Sequence, residues 1–550
     1  MEKENAIVMT TQKLISKYIW YIVIILSIPA VRYLFVKGYF GVSDDLHIGW
    51  LFEMDRAIKM LQFPPRYTPD LSFGFGYPLF TFVYPFPFYV AEIFHLLGFS
   101  LVNSVKLVFG LSIPLSMYFM YKLLTNYMKD SWALAGAVLY VYAPYRALEM
   151  FVRGTIGEIV AFVFFPIIIL SVIKKNPYAL ALSVAGLVLS HNIMAYMFMP
   201  FLLLFVILNK SFWVSLKGIL LGLLVSSYFW VPAIVESNLM KYDTVFNFYD
   251  HYPALKQFIT PYWGYGASVP GNYDTMSFYM GLTGLAVVAI GTVLFLLKRN
   301  KFSREEQVFV GWSIFVVLIS VFMMNFRSAW FWRNLPLLPY FQFPWRFLAI
   351  ITLFSPFFLI AIHKFSDNKI VKVAPFAVIF LSLFLNFNYF KTSEYLGRMD
   401  DYYINRYIPI PTATDEYLKT SEEYLRLPKE NEKRPEKNYP RAYAVNENVV
   451  LEIEEINALN AKIKTSSEID FVLNYNKYNY PGWKVTIDGK KTEIISGKPY
   501  GQISFLVPSG SHTVEVKYGE SMLRLVFNLV SLVSVSGVVY VLIKQRNSKK

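Results

Sequence analysis

No cysteine occurs in the 550-residue chain. Disulfides, thiol nucleophiles and thiolate metal sites are therefore excluded, and any domain outside a membrane stands on packing alone. Histidine is also scarce: the six residues are scattered, with no HExxH-type spacing, which argues against a dedicated zinc site. Charge is the third shortage. Only 16% of residues are charged and 55% are apolar, where a soluble protein carries about a quarter charged. The mean hydropathy is +0.40. These shortages describe an integral membrane protein, so the net charge of +14 reads as loop charge setting topology rather than as a nucleic-acid footprint.

What is present is a series of apolar runs near the ~20 residues that a spanning helix needs. About twelve candidate spans extend from Tyr18–Val36 to Met522–Ile543. The first has no small-residue cleavage site and reads as a retained span. One further segment, Tyr77–Leu97, is apolar enough to be mistaken for a span. Its Tyr84-Pro85-Phe86-Pro87-Phe88-Tyr89 carries two prolines that disfavour a regular helix and aromatics that prefer the interface. The positive-inside rule gives the same answer. With Lys3, Lys13 and Lys17 cytoplasmic and Tyr77–Leu97 not crossing, the loops holding Lys122/Lys129, Lys174/Lys175, Lys210/Lys217, Lys298/Arg299 and Lys364/Lys369 all fall on the cytoplasmic side. The tail with Lys544, Arg546, Lys549 and Lys550 joins them.

This topology sorts lysine from arginine. The opposite face holds Arg56, Arg66, Arg146, Arg153, Arg327, Arg333 and Arg346. A planar guanidinium binds phosphate and carboxylate with two hydrogen bonds where an ammonium acts as a point charge. An arginine-rich outer face therefore suggests an anionic ligand, or else partners such as Glu149, Glu158 and Asp274. Three regions are expected: a transmembrane domain over 1–390 with a first outer loop at 37–103, an extracytoplasmic region over 391–520, and a final helix with a basic tail over 521–550. The middle region becomes β-rich from about residue 445, where Val485-Thr486-Ile487, Gln502–Val507 and His512–Val516 alternate around Asp488-Gly489 and Pro508-Ser509-Gly510. The expected fold is a polytopic α-helical membrane protein with a small C-terminal β-sandwich before its last helix.

Several phrases resemble a known family. Phe63-Pro64-Pro65-Arg66-Tyr67, Gly76-Tyr77-Pro78-Leu79-Phe80, Arg153-Gly154 before Glu158, Ser190-His191-Asn192 and Gln342-Phe343-Pro344-Trp345-Arg346-Phe347 are similar to large bacterial and archaeal membrane proteins labelled "6-pyruvoyl-tetrahydropterin synthase-related". Tyr480-Pro481-Gly482-Trp483-Lys484 and Pro508-Ser509-Gly510-Ser511-His512 resemble the outer β-domain of YfhO-like proteins. Both groups are placed in the GT-C glycosyltransferase superfamily. The resemblance implies transfer of a sugar from a polyprenyl-phosphate carrier to a cell-envelope glycan or lipid, on the extracytoplasmic face of the cytoplasmic membrane, with both termini cytoplasmic. A soluble pterin enzyme, which the label suggests, has no domain here to house it. Relatives carry an Asp followed by His and then Arg on the first-loop helix; here Asp44-Asp45-Leu46-His47 compresses that spacing, and Phe52 or Glu53 stands where Arg is expected.

Within that frame Asp44 or Asp45 supplies the general base, taking the proton from the attacking acceptor hydroxyl. The bland reading is helix capping, with Ser43 or Asp44 as the N-cap of a helix over Leu46–Leu61. Arg153 would hold the carrier phosphate while Glu158 orients the sugar, or the two form a structural ion pair. His191 and Asn192 would assist proton movement, or satisfy a helix break. Arg346 would cap the phosphate from the opposite wall, or anchor at the interface beside Trp345. Arg66 belongs with the anion-binding arginines, and Asp274 lies in a long aromatic loop of the kind that stacks sugars. No cofactor is assigned; Mg or Mn at the first-loop acids is conceivable, but two carboxylates are too few to define a site. A lipid-linked saccharide transporter or flippase, or a non-catalytic envelope assembly protein, is the alternative reading. The transporter predicts inverted repeats and mid-membrane ionisable groups, which are not clear here.

Overall fold

The computed structural model describes residues 11–241, 247–271, 273–336, 338–365, 369–410, 414–415, 417, 425–446 and 448–548. Lys3, Lys549 and Lys550, which the sequence argument used, lie outside the described residues, as does the side chain of Lys369. Helices dominate as far as Tyr389 and strands from Ala442 to Tyr518.

By length and composition five helices can cross a membrane: Leu101–Leu124, Ile156–Ile173, Arg304–Met323, Pro344–His363 and Met522–Asn547. Two bent pairs raise the number to seven: Thr11–Lys17 with Ile19–Phe35 at 81°, and Phe212–Val225 with Ser227–Leu239 at 69°. Five further apolar helices are shorter, among them Asp130–Val141, Pro177–Ser190 and Asn192–Leu208. Twelve spans would need every one of these short helices to cross, so length alone stops below the expected number. Polar residues inside the apolar runs are the reason. Asn176 accepts from the backbone N–H groups of Tyr178 and Ala179 and starts one helix, and His191 ends it and starts the next.

Helices Ile156–Ile173 and Pro344–His363 are apolar on all sides and buried among the others, as a central bundle helix is. The outer helices are as apolar on their exposed faces as inside. Tyr21, Ile25 and Ile28 on the first, Phe380 and Phe384 near residue 380, and Leu529, Val533 and Tyr540 on the last are all exposed. Hydrocarbon, not water, is the solvent that suits such faces. The segment expected not to cross is broken in two, Leu79–Phe82 and Phe86–Leu96, with Val83, Tyr84 and Pro85 between. Pro85 and Pro87 sit where a helix starts, the one place proline fits.

The strands form two antiparallel sheets and one short ribbon. In chain order they are β1 (Tyr39–Phe40), β2 (Tyr395–Arg398), β3 (Ala442–Ala444), β4 (Val450–Asn457), β5 (Asn460–Ser467), β6 (Phe471–Tyr478), β7 (Trp483–Ile487), β8 (Lys490–Lys491), β9 (Ile495–Gly497), β10 (Gln502–Val507) and β11 (Gly510–Tyr518). One sheet has the order β3-β6-β10-β9 and the other β4-β5-β11-β7-β8. In the second, Val514 faces Ile463 and Val516 faces Ala461 and Val485, all buried, while Glu515 and Lys517 alternate outward. Phe471, Leu473, Ile503 and Phe505 of the first sheet share that core.

The first loop is pinned from two sides. β1 pairs with β2 so closely that a Cβ on Gly38 would lie 2.4 Å from the backbone of Gly397. Asp400 accepts from the backbone N–H of Leu101 (2.8 Å) and Val102 (2.9 Å), capping that membrane helix from three hundred residues away. The stretch 66–77 docks on the β-domain: Tyr478 N–H donates to the Phe75 carbonyl (3.0 Å), Lys477 Nζ to that of Pro69 (3.0 Å) and Arg441 to that of Gly74 (3.0 Å). Tyr67 packs edge-on against Trp483, with ring centroids 5.6 Å apart.

Candidate functional site

Four elements far apart in sequence converge where the first loop meets the mouths of two central helices. The first is the turn before helix His47–Lys59. That helix is capped by no side chain; its N-cap is Leu46, and the Ser43 hydroxyl donates instead to the Val152 carbonyl (3.3 Å). Two backbone bonds, from Ser43 N–H to Val152 (3.0 Å) and from Asp44 N–H to Arg153 (2.8 Å), lay this turn along the second element.

The second element is a wide π-helical turn, Glu149–Arg153, closed by Gly154 at φ 72°. Turns of this kind displace one residue from the helical ladder and recur at functional sites. A Cβ on Gly154 would lie 2.5 Å from Val42, so glycine answers both the backbone angle and the close approach. The turn puts Glu149 and Arg153 on one side, and helix Ile156–Ile173 brings Glu158 to meet them.

Arg153 Nη1 donates to Glu149 Oε1 (2.9 Å) and Oε2 (2.8 Å) and to Glu158 Oε1 (2.9 Å). Its guanidinium lies 4.8 Å from the centre of the Trp345 ring, a favourable cation–π stack. Arg346 Nε is 3.2 Å from Glu158 Oε1, while its Nη1 donates to the Phe341 carbonyl (2.7 Å) and Gln342 Oε1 (2.8 Å). Tyr145 donates to Glu158 Oε2 (3.3 Å), and the Thr155 hydroxyl donates to Glu149. Burial pushes the Glu149 carboxyl up to about 7, against the pull of Arg153. The ion pairing proposed as the bland reading is therefore present, but it does not use up the arginines. Among the described residues Arg153 Nε and Nη2 have no partner, and neither has Arg346 Nη2.

The histidines are fixed by their acceptors. His191 Nδ1 accepts from the Met194 backbone N–H (3.1 Å), so in the neutral ring the proton sits on Nε2, 3.7 Å from Glu158 Oε1. It caps the next helix and faces the cluster at once. His47 Nδ1 donates to the Gly154 carbonyl (3.1 Å), which leaves its Nε2 as the acceptor; burial lowers its pKa and keeps the ring neutral.

The two aspartates diverge. Asp45 is buried and accepts from the Tyr407 hydroxyl, with Arg406 and Arg398 nearby. Burial pushes its carboxyl up while those groups oppose the shift. It ties the first loop to helix Asp400–Tyr407. The Asp44 carboxylate is half-buried and has no hydrogen-bond or ion-pair partner among the described residues, although its charge acts on Arg153, His47 and Tyr84. No group of three His, Asp or Glu among the described residues is placed to hold a metal ion.

Three other candidates lie elsewhere. Arg66 is buried and donates to Glu520 (3.1 Å), the Tyr228 carbonyl (2.9 Å) and Asn528 Oδ1 (2.8 Å), joining the first loop to the last helix. Asp274 closes its own loop by accepting from Gln257 (3.0 Å) and the Val269 N–H (3.0 Å). Asn192 is exposed and bonds the following N–H. Conversely, sequence reasoning treated Glu149 only as a charge partner. Its four-residue spacing from Arg153 was the available signal. Tyr84 carried no signal beyond its place in an aromatic-proline run.

No family model matches the chain. An uncharacterized protein of Lactococcus lactis subsp. cremoris (strain MG1363) is 23% identical over 202 residues, covering 34% of this chain and 33% of that protein. Among solved structures, the arabinofuranosyltransferase AftD from Mycobacteria, seen by cryo-EM, matches 67% of this chain and 26% of its own at 13% identity, with a TM-score of 0.44. That likeness is too slight to carry a fold or an activity across. The chain thus spans about a third of the curated relative and about a quarter of the solved one.

Proposed function

We propose that this membrane protein is a glycosyltransferase of the GT-C kind, moving a sugar from a polyprenyl-phosphate donor to a cell-envelope glycan or lipid on the extracytoplasmic face. The observation that carries the reading is the pairing of an unpartnered carboxylate, Asp44, with the unpartnered edges of Arg153 and Arg346 across one buried cluster. A base beside two aimed cations is the minimum for breaking a sugar–phosphate bond. Asp44 takes the proton from the acceptor hydroxyl as its oxygen attacks the anomeric carbon. The bond from that carbon to the phosphate oxygen breaks, and its electron pair stays on the phosphate, where Arg153 and Arg346 stabilise the added charge. Phosphate leaves readily, so no strong acid is needed.

The remaining groups hold the machinery in place. Glu149 and Glu158 fix Arg153 by Nη1 and Glu158 fixes Arg346 by Nε, which leaves Arg153 Nε and Nη2 and Arg346 Nη2 for the ligand. The Trp345 ring backs the Arg153 guanidinium, and His191 Nε2 faces Glu158. Asp45 anchors helix Asp400–Tyr407 and is occupied in doing so, which makes Asp44 the base.

The test is release of polyprenyl phosphate from a panel of polyprenyl-phosphate sugars, with the full chain in nanodiscs. Asp44→Asn should lower turnover by about 10²–10⁴-fold, while Asp45→Asn retains most of it. Loss at Asp45 alone would move the base assignment there. Donor binding without consumption by any form, the wild type included, would replace this reading with a transporter or assembly protein.

A further inference from the structure

Tyr84 stands on the non-helical break between Leu79–Phe82 and Phe86–Leu96. Its ring is packed. The centroid is 4.9 Å from that of His191 and 6.3 Å from that of Phe88. On the other side it lies against the first turn of helix Ile156–Ile173, where a Cβ on Gly157 would come 2.4 Å from ring carbon Cε2 and 2.5 Å from Cζ. Only glycine at 157 lets the phenol lie there. The ring is thus wedged between the residue that faces Glu158 and the turn that carries Glu158.

The hydroxyl end contrasts with the wedged ring. Among the described residues the Tyr84 hydroxyl has no hydrogen-bond partner, and the residue is half-buried, not sealed. The charges acting on it are those of Asp44, Glu158, Arg153 and Arg346. Burial and the two acids push its pKa above the ordinary tyrosine value, so at neutral pH it stays a donor. A donor left open to a ligand beside cations is what an anion needs.

We propose that the Tyr84 hydroxyl is the third donor to the carrier phosphate, beside the unpartnered edges of Arg153 and Arg346. This rests on the glycosyltransferase reading above. Tyr84 keeps its proton throughout; it donates a hydrogen bond to a non-bridging phosphate oxygen as charge builds on the departing group. The break between the two short helices gains a function from this: it delivers a side chain into the site from the element that does not cross.

The test compares wild type with Tyr84→Phe, which keeps the ring against Gly157 and His191 and removes only the hydroxyl. Two readouts are used in nanodiscs: turnover of polyprenyl-phosphate sugars, and the Kd of sugar-free polyprenyl phosphate. A hydrogen bond to a charged group corresponds to about a tenfold to hundredfold effect. Tyr84→Phe should lower kcat by that amount and weaken polyprenyl-phosphate binding about tenfold, with the melting temperature unchanged. An active wild type with an equally active and equally tight-binding Tyr84→Phe overturns this inference alone. A wild type that neither consumes a donor nor binds polyprenyl phosphate overturns the functional reading, and this with it. A lowered melting temperature together with lost turnover and unchanged Kd would assign the hydroxyl a structural role and also overturn it.

Discussion

Two of the buried arginine–carboxylate networks in this molecule differ in a way that separates structure from function. At the base of the last helix, Arg524 donates through Nε to Glu236 Oε1 (2.8 Å), through Nη2 to Oε2 (2.7 Å) and through Nη1 to the Tyr518 hydroxyl (2.7 Å). Tyr480 donates to the same carboxylate (2.7 Å). Every nitrogen of that guanidinium is engaged. In the candidate site Arg153 spends one nitrogen on three carboxylate contacts, and two nitrogens have no partner among the described residues. A saturated buried ion pair holds elements together; an unsaturated one beside a free carboxylate is built to receive something. Removing one partner of a buried pair leaves an uncompensated charge, so both networks resist mutation, for different reasons.

The sharpest way to break the comparison is at Asp44, where Asn should remove about 10²–10⁴-fold of turnover without lowering the melting temperature. A loss of stability instead would make the site another clamp. Next comes Arg524→Ala, expected to cost about 3–5 kcal/mol of stability, read by denaturant unfolding in detergent, with turnover per folded molecule preserved. Arg153→Lys keeps the charge but loses the planar fork. It should weaken polyprenyl-phosphate binding about tenfold, or about 1.4 kcal/mol, and an unchanged Kd would take Arg153 out of the phosphate site.

The smallest effect concerns a third pair of acids. Glu92 on helix Phe86–Leu96 is buried and faces Asp55 of helix His47–Lys59, which Lys59 already neutralises at 2.7 Å. Burial first, then Asp55, pushes the Glu92 carboxyl up to about 7. A carboxyl whose folded pKa is raised contributes stability that is complete below its unfolded value and is lost as pH rises through the folded one. The melting temperature should therefore fall as pH rises from about 4.5 to about 7 and level off above it, and Glu92→Gln should flatten that slope. A slope that persists in the variant would place its origin elsewhere.

Much of the site was legible in sequence, but not which parts of it. Asp44, Arg153, Glu158, His191 and Arg346 were singled out as isolated chemistry beside apolar runs, and the fold brings them together. Arg66 had a signal of the same kind as Arg153: an arginine beside a residue that interrupts a helix, proline in one case and glycine in the other. What distinguishes them is the partner count, which depends on Glu520 and Asn528, more than four hundred residues away. The family-like phrases divide in the same way. Arg153-Gly154, His191 and Trp345-Arg346 build the site, whereas Tyr67 and Gly74 to Tyr77 dock the β-domain.

Composition and pattern alone determined that this is a membrane protein with a strand-rich region before its last helix, because apolar length and residue alternation are local properties. The positive-φ turn at Asp488-Gly489 belongs to that local class. Tertiary structure alone decided which aspartate is free, since Tyr407 reaches Asp45 from 362 residues along the chain. It also decided that the Tyr84 ring lies against Gly157 and His191, which no local pattern announced. Partner counts and aimed side chains depend on contacts between distant residues, and no local pattern encodes those.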